Sequence, residues 1–123
     1  MNKNASLKYI EQGSMTATPG ELLMLLLNAE IKNIRVAILR IHDKKLEEAH
    51  NCLVKAQDIM NELILSLDDS FALSKELTAL YTFIRDELVA ANIKKDAAKL
   101  EALIPVVTQL RDTWEEAKKI AKA

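Results

Sequence analysis

The sequence predicts an all-α protein: an antiparallel up-and-down four-helix bundle with an N-terminal tail or short helix packed on it. Three observations carry that expectation. Half of the 123 residues are hydrophobic, yet only 4% are aromatic and only 2 are glycine, far fewer turn-formers than an all-β chain of this length needs. Leu, Ala, Lys and Glu are abundant and 28% of residues are charged, which suits helices with one wet face. Apolar residues recur at alternating spacings of three and four in successive stretches, the period of a helix. The length closes one core and is too short for two ordinary domains, so residues 1–17 read as a tail and 18–123 as the bundle.

The first helix is expected over about 19–42. Thr18 and Glu21 form a capping box: the hydroxyl accepts from the N3 amide and the carboxylate reaches back to the cap, while Pro19 at N1 loses nothing by lacking an N–H. Asp43 can cap a second helix over 44–67, with Leu46, Ala49, Leu53, Ala56, Met60, Leu63 and Leu67 on one face. "DDS" at 68–70 breaks the pattern. A third helix over 71–92 aligns Leu73, Leu77, Leu80, Ile84, Leu88 and Ala91. After "ANIKKD", Asp96 caps a fourth, over 96–120, with Leu100, Leu103, Val107, Leu110, Trp114 and Ala117 on its seam. Short connections make neighbours antiparallel, and the 3–4 spacing suits the shallow crossing angles of a bundle. Pro105 falls inside the fourth helix but points away from the Leu103/Val107 seam.

The first helix has more apolar surface than one bundle can bury. "LLMLLL", residues 22–27, is unbroken. On a helical projection Leu23, Leu27, Ile34, Ile38 and Ile41, flanked by Leu26, Ile31 and Ala37, form the bundle-facing side. Leu22, Leu25, Ala29 and Val36, with Leu39 at the margin, form a second stripe nearly opposite. Leaving that stripe in water forgoes about 1.5–3 kcal/mol per large side chain, so a cover is expected. Two covers are compatible: the tail, anchored by Leu7, Tyr9 and Ile10, or a partner segment that displaces it.

Most chemistry is excluded. Seventeen basic and 18 acidic residues give a net charge of −1, without the basic excess of a nucleic-acid binder. Cys52 is the single cysteine, so no intramolecular disulfide forms and the default is a small hydrophobe. The N-terminal "MNKNASLKYIEQG" lacks a signal peptide's apolar core, and no apolar run nears the roughly 18 residues of a membrane span. A cytosolic protein is the expectation. Glu47 and His50 have the Glu-x-x-His spacing of di-iron bundles, but the second half-site is missing. No glycine loop cradles phosphate. The sequence therefore predicts no enzyme, no metal and no cofactor.

"TATPGELLMLLLNAEIKNI", "LVKAQDIMNELILSL" and "LVAANIKKD…LRDTWEEA" together resemble the flagellin export chaperone family, FliS, from the tail through residue 117. The resemblance implies a small cytoplasmic helical bundle without catalytic activity. It implies binding to the disordered C-terminal segment of flagellin, protection against early polymerisation, and delivery to the flagellar export gate. It also implies roles for particular residues. Tyr9 matches the tyrosine of the family's tail, Asn28 the polar position of its Leu-Tyr-[DN]-Gly motif, and Tyr81 the first tyrosine of its Tyr-Asp-Tyr-Met motif. Asn92 and Asp96 match the turn before the last helix. Leu27 and Ala29 depart from the first motif, and "YTFIRDEL" from the second.

The expected partner-binding residues are thus Tyr9, Ile10, Leu22, Leu25, Asn28, Val36 and Tyr81. Helix-in-groove docking of a client that folds on binding is the physical mode. The expected state is a monomer or weak homodimer with no nucleic acid and no membrane insertion. A helical homo-oligomer with a structural or adaptor role is the alternative, the stripe then being its interface.

Overall fold

The computed structural model describes residues 18–70 and 72–122, and the side chains of these up to residue 120. Among the described residues four helices follow one another: α1 Pro19–His42, α2 Leu46–Leu65, α3 Ser74–Lys94 and α4 Ala97–Lys122. Among the described residues there is no strand. Each helix packs on the next and α4 returns to α1, so the four close a ring around one core. Leu27, Ile31 and Ile34 of α1 meet Leu53, Ile59 and Met60 of α2, Ile84 and Leu88 of α3, and Leu100, Leu103 and Val107 of α4 there.

Polar ties cross every seam. Arg40 Nε meets Glu48 at 3.0 Å between α1 and α2, and Arg85 donates to Asn61 at 3.1 Å between α2 and α3. Lys99 meets Glu87 at 3.1 Å between α3 and α4, and Arg111 donates to Asn28 at 2.9 Å between α4 and α1. Every one of these residues lies at least partly in solvent, so the ties set register more than they stabilise. Burial of the apolar seams supplies the stability.

The capping box at the start of α1 is formed. Thr18 N–H donates to Glu21 Oε1 at 2.8 Å and Glu21 N–H to Thr18 Oγ1 at 3.2 Å. Asp96 accepts from Lys99 N–H at 3.1 Å at the start of α4, and Pro105 is exposed.

Elsewhere the ends differ from expectation. Asp43 does not cap α2; it closes α1, its N–H reaching Leu39 O. The chain then reverses through Lys44 in the left-handed region, φ 60°, and Lys45 N–H returns to Arg40 O at 2.8 Å. This turn consumes the residues that a helix from 44 would use. α3 begins at Ser74 without a side-chain cap, and Asp68 holds a local turn before it, accepting from Ser70 N–H at 2.9 Å. Its face is largely the expected one, with Ile84, Leu88 and Ala91 buried and Leu77 and Leu80 packed at the edge of the core, but Tyr81 joins it and Leu73 is exposed. On α4 the seam stops sooner than the spacing predicts, with Trp114 half-buried and Ala117 in solvent.

Candidate functional site

α1 is the helix with two apolar faces. Met24, Leu27, Ile31, Ile34 and Ala37 are buried, and Leu23, Leu26, Ile38 and Ile41 pack beside them on the core. The opposite stripe is incompletely covered: Leu25 is 40% and Leu39 57% exposed, while Leu22, Ala29 and Val36 are half-buried. Ala29 reaches the core cluster from its edge.

Asn28, expected to touch a partner, is exposed and accepts the Arg111 hydrogen bond from α4. That bond brings the early turns of α1 beside Arg111 and Asp112. A shallow, open groove of about 590 Å³ follows the outer side of α4, its described lining being Pro105, Thr108, Gln109, Asp112, Thr113 and Glu116. By helical spacing Leu25 and Thr108 both lie on the outward side of the Asn28–Arg111 contact. Stripe and groove therefore share one face of the bundle. It offers apolar side chains along α1 and mainly polar ones along α4.

Tyr81 corrects an expectation. It is only 1% exposed, and its hydroxyl accepts from Trp114 Nε1 at 3.2 Å. It joins α3 to α4 from inside and has no surface to give a partner in this structure. Burial raises its phenol above the usual value, the Trp114 bond partly offsetting this. Tyr9 and Ile10, and the tail they belong to, lie outside the described residues.

The centres of chemistry that the sequence weighed are dispersed. Glu47 and His50 are exposed, and His50 Nδ1 pairs with the side-chain amide of Asn92, whose Nδ2 is 3.1 Å away. Asn92 also donates to Gln57 at 3.4 Å, so this cluster pins the end of α3 to α2. Among the described residues no group of three His, Cys, Asp or Glu is placed to hold a metal ion. The half-buried Cys52 thiol is pushed up by burial, the opposite of what a nucleophile needs. Among the described residues no helix is long and apolar enough to cross a membrane.

One buried group escaped the sequence reading. Glu30 is completely buried on the core side of α1, and neither carboxylate oxygen has a hydrogen-bond partner among the described residues. Desolvation raises its acid well above the usual 4.5. A positional signal was available, because Glu30 stands three after Leu27, four after Leu26 and four before Ile34, inside the apolar sector.

The family model described as "Flagellar protein FliS" matches residues 1–121. The chain is 37% identical over 115 residues to the "Flagellar secretion chaperone FliS" of Bacillus subtilis (strain 168), covering 94% of this chain and 86% of that one. It is 27% identical over 110 residues to the protein of the same name from Escherichia coli (strain K12), covering 87% and 81%. A solved structure described as a flagellar chaperone from bacteria superposes with a TM-score of 0.78 at 21% identity, over 97% of this chain and 98% of that one. That last likeness establishes the bundle fold.

Proposed function

Because the chain belongs to the FliS family of flagellar proteins, we propose that it is an export chaperone for flagellin. It holds the disordered C-terminal region of newly made flagellin, keeps it from polymerising early, and helps bring it to a component of the export gate. It works in the cytosol as a monomer or weak homodimer, catalyses no reaction and needs no cofactor. The observation that carries this reading is the incompletely covered stripe of α1, with Leu25 and Leu39 in solvent. A client whose own core-forming segment has no partner before assembly supplies the missing cover, laying an amphipathic helix along the stripe. Ordering that segment costs conformational entropy, so a long contact along α1 and the α4 groove is needed to offset it.

Titration calorimetry tests the reading with flagellin from the same cell, full length and lacking its C-terminal segment. Tight one-to-one binding that disappears on truncation is expected; no binding to either form would overturn it and turn attention to homo-oligomers. In the double variant Leu25→Gln, Val36→Thr, each lost apolar contact is worth up to about 1.5–3 kcal/mol, so affinity falls roughly tenfold or more. Its melting temperature should stay close to that of the parent. A large drop in melting temperature at unchanged affinity would assign the stripe to the core instead.

A further inference from the structure

We propose that Glu30 is a proton-operated latch in the seam between α1 and α2, which is closed while its carboxyl is protonated and loosens when the proton leaves for water. The proposal stands on geometry and does not depend on the chaperone reading. Glu30 has no exposed surface, and both of its oxygens lack a donor. A neutral carboxyl tolerates such a place at a moderate cost. A carboxylate without donors does not, so ionisation requires water to enter or the helix to move away.

Among the described residues, the surroundings offer no donor to neutralise that charge. The turns of α1 on either side carry Leu26, Leu27, Asn33 and Ile34, and the Asn33 amide is spent on Ala29 O at 2.9 Å. The Arg40–Glu48 pair on antiparallel helices sets Glu30 level with the turn around residue 58 of α2. There α2 turns Ala56, Ile59 and Leu63 to the core. Its titratable groups along this stretch are Cys52, Lys55, Asp58 and Glu62, and none of them donates to Glu30. On α4 the groups at this level are Arg111 and Asp112, paired with each other at 3.0 Å, and Arg111 also serves Asn28. α3 lies diagonally across. Its Tyr81 is joined to Trp114, its Arg85 to Asp86 and Asn61, and its Glu87 to Lys99.

Desolvation holds the acid well above 4.5, so the folded protein keeps a proton that the unfolded chain has released. Stability from this group is complete below about pH 4.5 and is lost as pH rises through the folded value.

Urea unfolding from about pH 5 to pH 9, on the full chain and on Glu30→Gln, tests the latch. The amide keeps the shape and cannot ionise. The folding constant of the parent should fall relative to the variant as pH rises, approaching tenfold per pH unit at its steepest. Hydrogen exchange, compared between the two proteins at each pH, should show protection lost along the α1–α2 seam and kept between α3 and α4. Parallel stability curves would overturn the proposal, as would protection lost equally in all four helices. Should Glu30→Gln fail to fold, Glu30→Met supplies the same non-titrating reference.

Discussion

Tyr81 and Glu30 are both polar, both almost fully enclosed, and built into the bundle in opposite ways. Tyr81 carries a large apolar ring whose single polar tip meets the Trp114 indole N–H at 3.2 Å. Its burial gains apolar contact and leaves the hydroxyl satisfied. Glu30 carries a small apolar stem and two oxygens, with no donor for either. The contrast teaches that enclosure alone does not measure a polar side chain's contribution, because the partner decides its sign. Seen this way, the α3–α4 seam has a pin and the α1–α2 seam has a weak point.

The largest expected effect tests the pin. Tyr81→Ala removes a ring that is 1% exposed and should cost about 3–5 kcal/mol of stability in urea unfolding, as aromatic truncations in cores do. A loss below about 0.5 kcal/mol, the range of surface substitutions, would return Tyr81 to the surface and dissolve the comparison. Glu30→Met tests the weak point, with the opposite sign. Methionine keeps the length, adapts to the space and needs no donor. At about pH 8 the variant should be more stable than the parent by about 1–3 kcal/mol, the penalty of an unsatisfied buried polar group. A destabilised variant would mean that the carboxyl has found a partner after all.

How far these two residues could be read from the sequence differs for the same physical reason. Periodicity and caps are local, and they place α1 and its Thr18–Glu21 box, the Asp96 bond and the outward Pro105 where the structure has them. The second stripe of α1 is also a local property of spacing, and Leu25 and Leu39 are indeed exposed. What failed was any judgement that depended on a partner distant in sequence. The predicted face of α3 omitted Tyr81, because nothing local shows that Trp114, 33 residues on, will donate to its hydroxyl. Glu30 was not read as part of the core, although its position lies within the apolar sector. The Asp43 assignment failed because an aspartate between two helices can end the first or begin the second, and the left-handed Lys44 decided it. The resemblance to a family brought Tyr81 forward as a contact residue, but only tertiary packing could show which way it points.

The smallest effect sharpens the comparison most, because it isolates one hydrogen bond. Tyr81→Phe keeps the ring and removes the acceptor of Trp114 Nε1, so stability should fall by about 1 kcal/mol. The half-buried indole N–H can turn to water, which limits the loss. The two buried acids also differ in where pH reaches them. Burial raises the Tyr81 phenol above 10, so the folded state holds that proton after the unfolded chain has lost it. Its stability contribution is intact below about pH 10 and declines as pH rises through the folded value, while Glu30 acts from about pH 4.5 upward. Unfolding curves of the parent and of Tyr81→Phe should therefore run parallel across neutral pH and converge above about pH 10. A difference already changing at neutral pH would tie Tyr81 to the Glu30 proton, and the two seams would then be one coupled network.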